Sequence, residues 1–286
     1  MWRLLSILGV VGVAGGALLI GRRANASSST SGSTSGSSDG ATPDVADIDL
    51  PPLPTAADVP YEALEMINLE KNWGDTPPDL RPLFALMEAT SMIVGSARVF
   101  AVIAYRESRF VTSAHNGNAA NEQDERDDSK RAWDNNKDRN PPLRFGAEAA
   151  AFGSGGLFGA LAPYFLWTGV PERGKKAPLL NAPPELVFQP RAAAFGAVVY
   201  MQRLLAHYRV DDIADIKAGW ANPGLLGKNR GSKTYNEVRT RFLADAKALG
   251  IDLFDPTIPA KLSAASWPGV PVAFEKLVGA LPAEFT

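Results

Sequence analysis

From Tyr61 to Gly250 the apolar residues of this chain recur at intervals of three and four, and the strict alternation of a half-buried strand is scarce. That periodicity confines the fold to a mainly α class. The spacing predicts a first helix over YEALEMINLEKNW (61–73), with Leu64, Ile67 and Leu69 near one side. A second follows over DLRPLFALMEATSM (79–92) with Asp79 as N-cap, and a third after Gly95, capped by Ser96 and running through ARVFAVIAYRES (97–108). The polar stretch 116–142 reads as a surface insertion holding one charged helix from Gln123 to Asn135. A glycine-rich turn, FGSGGLFGALAPYF (152–165), and a Pro-bounded loop lead to PRAAAFGAVVYMQRLLAHY, a helix opened by Pro190. DDIADIKAGW (211–220) and KTYNEVRTRFLADAKALG (233–250) predict two more.

The flanks read differently. Residues 1–23 contain 18 residues without a charge between Arg3 and Arg22, just long enough as a helix to cross a bilayer core. A cleaved signal peptide is the competing reading, because Ala24-Asn25-Ala26 has the A-x-A form, although Arg22 and Arg23 stand where a cleavage region is normally uncharged. Either reading brings the chain to or across a membrane. Residues 24–59 open with a stretch built only from Ser, Thr and Gly (Ser27 to Ser38) and turn Pro-rich, the composition of a flexible tether with a reach of about 30 Å. The expected organisation is therefore an N-terminal anchor or signal (1–23), a linker (24–59), one domain (60–255) and a Pro-rich tail (256–286).

Composition removes several kinds of chemistry. With no cysteine, thiolate nucleophiles, disulfides and zinc ribbons are excluded. With only two histidines, His115 and His207, far apart in the chain, neither a His-based metal site nor a serine triad is expected. The balance of 29 Lys+Arg against 31 Asp+Glu offers no basic footprint for nucleic acid. Carboxylates, hydroxyls, amides and aromatics must carry any reaction, with no metal and no cofactor.

One carboxylate has a distinctive place. In VFAVIAYRESRF, Val99, Phe100, Ile103, Ala104 and Glu107 recur at helical spacing, so Glu107 ends an apolar stripe at the last turn of its helix. Apolar surroundings and the negative end of the helix dipole both favour the protonated acid. Cleaving a glycosidic bond requires such an acid, because the leaving oxygen must be protonated as it departs. Spacing alone equally allows Glu107 to pair with Arg106 or Arg109, or to face water.

The string AYRESRF followed by SAHN resembles the glutamate motif of the lytic transglycosylase (soluble lytic transglycosylase-like) branch of the lysozyme superfamily. Glu107-Ser108 matches that family's Glu-Ser, and Gly156-Leu157-Phe158 with Pro163 stands where it carries Gly-Leu-Met-Gln and a later proline. Phe188, Pro190 and Tyr200-Met201, continuing through Leu204-Leu205 to Tyr208, resemble its third block, and Gly219-Trp220-Ala221-Asn222-Pro223 its fourth. The likeness spans Pro77 to Ile251 in the right order. It implies a goose-type, lysozyme-like helical domain around a central catalytic-glutamate helix. It also implies Glu107 as acid and base, with Ser108, Gly156, Leu157, Phe158, Tyr200 and Trp220 at the substrate. Two positions depart: Gly159 replaces the substrate-contacting glutamine, and Trp220 replaces a tyrosine that hydrogen-bonds the catalytic glutamate.

The activity so implied is cleavage of the MurNAc–GlcNAc bond of peptidoglycan, leaving 1,6-anhydro-MurNAc ends, from the extracytoplasmic face of a membrane or after secretion. A hydrolytic muramidase would need a second carboxylate, for which Glu122, Asp124, Glu125, Asp127 and Asp128 are the candidates. Other readings are a non-catalytic peptidoglycan-binding scaffold and a component of an envelope-spanning or phage-entry assembly.

Overall fold

The computed structural model describes residues 53–58, 73–91, 95–115, 119–138, 142–143, 153–167, 171–172, 175–176 and 184–253. The expected anchor, the first expected helix up to residue 72 and the tail 256–286 lie outside the described residues, as does the linker apart from 53–58. Among the described residues the chain is mainly helical, with helices α1 (Arg81–Ser91), α2 (Ser96–Ser108), α3 (Ala119–Asn136), α5 (Pro190–His207), α6 (Ile213–Ala221) and α7 (Lys233–Leu249), and one short turn of helix, α4 (Ala162–Phe165). Besides three short 3-10 turns (Ala56–Asp58, Pro184–Phe188 and Pro223–Leu225) the described residues hold a minimal antiparallel pair, β1 (Pro171–Glu172) with β2 (Lys175–Lys176), in a segment the sequence suggested was loop. No described helix is long and apolar enough to cross a membrane.

Helix α2 is the axis of the assembly. The stripe expected along it proves too narrow a description: every residue from Ser96 to Ala104 is buried. A helix covered all round must run through the core. It packs on α1 and α7, while α1 also meets α5 and α6 lies against α5 and α7. Phe158 fills the centre, its ring set edge-on to Phe84 and Phe100 at 6.3 Å in each case.

The ends of the helices follow local chemistry with two corrections. Helix α1 begins at Arg81, later than an Asp79 cap requires. Helix α2 is not capped by Ser96, which is its first helical residue; Gly95, at φ 85°, takes the cap position. The orphan N–H groups are met from the neighbouring helix, where the buried Glu88 carboxylate accepts from Gly95 N and Ala97 N, both at 2.8 Å. Asp212 caps α6 by accepting from Ala214 N and Asp215 N, Ser232 caps α7, and Gly250 closes α7 in the left-handed conformation. The charged helix α3 extends at its N-terminal side to Ala119.

Candidate functional site

Where α2 leaves the core its burial breaks down within one turn. Tyr105 and Arg106 are half-buried, Glu107 reaches the surface with its side chain 26% exposed, and Ser108 turns back inward. Arg109 and Phe110 then both take positive φ, 55° and 65°. Two successive non-glycine residues in that region store backbone strain of order 1–3 kcal/mol each, which persists only where the surroundings over-determine it. Here the Arg109 N–H donates to Tyr105 O, its guanidinium lies 4.0 Å from the Tyr105 ring centroid, and Val111 N–H donates to Ser108 O.

The glycine turn is stitched to this end of α2. Ser108 Oγ stands 2.8 Å from the Leu157 carbonyl and 3.0 Å from that of Ala104, able to donate its one proton to either. Gly156 N–H donates to Ala114 O, and Gly155 and Ala160 exchange both backbone bonds across the turn. Two of its glycines are required. Gly156 has φ 72°, and a Cβ there would stand 1.8 Å from Val187 O. Gly159 has φ 58°, and a Cβ there would stand 3.1 Å from Glu107 Oε2 and 3.2 Å from Glu107 Cβ. The first two motif blocks, some fifty residues apart in the chain, thus meet at the carboxylate.

The partner of that carboxylate is one the sequence reading missed. Glu107 Oε1 accepts a hydrogen bond from Lys217 Nζ on α6, and the lysine side chain is only 8% exposed. Among the described residues no other side chain bonds to either group. Neither arginine of the motif competes, since Arg106 and Arg109 reach Asp245 of α7 at 3.3 and 4.0 Å. The carboxylate is therefore not the isolated acid in apolar surroundings that the stripe suggested. A signal for Lys217 was present: it is the lone cation in IADIKAGW (213–220), all eight residues of which are buried.

The remaining expected substrate residues occupy the interior. Leu157 and Phe158 are fully buried, Gly156 is buried in its turn, and Ser108 spends its hydroxyl on the backbone. Trp220 packs against Phe165 and Tyr200 at 5.2 Å each and Phe158 at 6.3 Å. Tyr200 stacks on Phe165 at 4.9 Å, and its hydroxyl donates to Gly219 O at 3.4 Å. Burial pushes the Tyr200 phenol far above its ordinary value, so it stays neutral and acts as a donor. These side chains belong to the core, and the turn that lies against the carboxylate is that of Gly159.

His115, in the loop after α2, is exposed, with its ring 5.7 Å from that of Phe188 and a bridge to Gly155. No cluster of metal-ligating side chains occurs among the described residues. A shallow depression on α7, lined by Lys233, Asn236, Glu237, Thr240 and Arg241, includes none of the residues above. No family model matches the chain, and no curated protein or solved structure matches it.

Proposed function

We propose that this protein is a peptidoglycan lytic transglycosylase on a goose-type lysozyme-like fold, with Glu107 as its acid and base. The observation that carries the reading is the meeting of Glu107 with the Gly156–Gly159 turn at the strained exit of a fully buried helix. Strain and a surface-reaching carboxylate joined to a rigid frame are what a reacting group needs and a merely solvated one does not. Glu107 would protonate the oxygen between N-acetylmuramic acid and N-acetylglucosamine. It would then accept the proton of the muramyl 6-hydroxyl as that oxygen closes on C1. No metal or cofactor enters this chemistry. The N-terminal segment, by sequence, would hold the domain at the outer face of a membrane or send it out, within reach of glycan strands.

A hydrolytic muramidase would need a second carboxylate free to activate water or attack the sugar. Of the candidates on α3, Glu125 accepts from Ser154 N–H at 2.9 Å and Ser154 Oγ at 3.2 Å, Asp127 accepts from Gln123, and Asp128 pairs with Arg131 at 3.1 Å. Those three engagements favour the single-carboxylate route, while the side chains of Glu122 and Asp124 lie outside the described residues. The Lys217 ammonium favours a second reading, a scaffold that binds peptidoglycan without cutting it, in which the pair with Glu107 only joins α2 to α6.

Mass spectrometry of fragments released from purified sacculi, wild type beside Glu107→Gln, decides among the three. Anhydromuramic ends lost in the variant support the transglycosylase. Reducing ends alone identify a hydrolase. Binding to sacculi with no release by either protein identifies the scaffold and refutes an enzymatic role.

A further inference from the structure

A buried ammonium with one hydrogen-bonding partner is an unusual expense for a fold. Removing a charge from water costs several kcal/mol, and structural ion pairs recover it by surrounding the charge with donors or acceptors. Lys217 lies in a helix buried from Ile213 to Trp220, its ammonium has three protons to donate, and among the described residues Glu107 Oε1 is its one acceptor. The two carboxylate oxygens are thereby made unequal. Oε1 is held by α6, while Oε2 lies over Gly159, at the position closed to any residue with a Cβ unless the carboxylate gives way.

We propose that Lys217 is the positioning residue of Glu107: it anchors Oε1 and so presents Oε2, above the bare Gly159 turn, as the oxygen that exchanges the proton with the glycan. The proposal rests on the transglycosylase reading. In the first step the proton on Oε2 passes to the glycosidic oxygen as the C1–O bond breaks, and the leaving strand keeps it as a hydroxyl. In the second, Oε2 takes the proton of the muramyl 6-hydroxyl as O6 bonds to C1, which restores the carboxylic acid. Lys217 keeps all its protons throughout. Its fixed charge faces the carboxylate that forms between the two steps, where a preorganised cation lowers the barrier without reorganising. Gly159 complements it, because a side chain there would crowd the oxygen that must meet the substrate.

The test compares wild type, Lys217→Met, Lys217→Arg and Glu107→Gln on soluble, uncrosslinked glycan strands, with thermal melts to score the folded fraction. Lys217→Met should lower kcat about 100-fold per folded molecule with KM changed less than about twofold, the loss expected when a reacting group is mispositioned. Lys217→Arg, which keeps a cation and a donor, should recover at least about a tenth of the wild-type kcat. The proposal is overturned if Lys217→Met keeps its kcat. It is equally overturned if both lysine variants lose activity only in step with their folded fraction. Those results leave the transglycosylase reading standing so long as Glu107→Gln is inactive. A wild-type protein that releases nothing overturns both.

Discussion

Helix α6 carries two buried charges two residues apart, and the chain treats them in opposite ways. Asp215, with no solvent exposure, is saturated: its oxygens accept from Tyr235 Oη, the Arg230 guanidinium and the Asp211 N–H, and Arg239 Nε stands 3.1 Å away. The same arginines run on to Asp211 and Asp212, so the network ties α6 to α7 through several redundant contacts. Among the described residues Lys217 has Glu107 alone. A charge kept for stability is surrounded until its desolvation is offset, and its removal is felt by many partners. A charge left with one partner, on a carboxylate open to the surface, is what the proposed positioning role requires. The difference separates a structural ion cluster from a candidate reacting pair on a single helix.

The largest effect should come from breaking the saturated side. Asp215→Ala removes the buried acceptor shared by two guanidiniums and a phenol, leaving the arginines only Asp211 and Asp212 at the edge of the cluster, and should cost about 3–5 kcal/mol, or about 10 °C in melting temperature. Glycan cleavage per folded molecule should not change. A melt within a degree or two of wild type would show that the cluster is ornamental and the contrast empty.

Glu107→Ala should cost less, about 2–3 kcal/mol, because water reaches the carboxylate and screens the pair. Adding Lys217→Met should then restore part of that loss, since the orphaned ammonium is removed with it. Urea unfolding of the four proteins of this cycle measures the coupling; strict additivity would mean that the two side chains do not pair in solution.

Gly159→Ala comes next. Holding alanine at φ 58° costs about 1–2 kcal/mol. Activity should fall by much more than that stability loss explains, because the new methyl group meets Oε2. Equal losses at Gly159→Ala and at Gly231→Ala, another positive-φ glycine whose Cβ position meets nothing within 4 Å, would sink the idea that Gly159 serves the carboxylate.

The smallest effect concerns Glu88, which caps α2 from below. Burial lifts its carboxyl above the ordinary 4.5, against the opposing N–H groups of Ala97 and Gly95 and the charge of Arg98. The folded state therefore holds this proton more tightly than the unfolded chain. The stability it contributes is full below about 4.5 and is lost as pH rises through the folded value. The stability difference between wild type and Glu88→Gln should accordingly shrink as pH rises above 4.5; a difference that stays flat or grows would show that burial does not dominate there.

Much of the helical plan was legible before any coordinates. Helices α2, α5, α6 and α7 fall close to where apolar period and, for α5, Pro190 place them, because such spacing acts over a few residues. Errors arose where the deciding partner was distant. The cap of α2 comes from Glu88 on α1, which no Gly95-Ser96 pattern reveals. Trp220 stands where the resembled family has a tyrosine bonded to the glutamate, yet the bond to Glu107 comes from Lys217, three residues earlier in the same α6. Phe158, Tyr200 and Trp220, expected at the substrate, are packed together through Trp220, since a ring attractive to a sugar is equally attractive to a core.

The sequence by itself determined a helical chain without cysteine, a carboxylate at the end of an apolar helix and a glycine turn to follow it. These properties are written in composition and short-range period. Tertiary structure alone decided that the helix is buried on every side, that the turn lies against the carboxylate, and that a buried lysine holds one of its oxygens. Each of those facts depends on elements separated by fifty to more than one hundred residues, and the free energy that brings them together comes from packing the whole core, which local pattern does not encode.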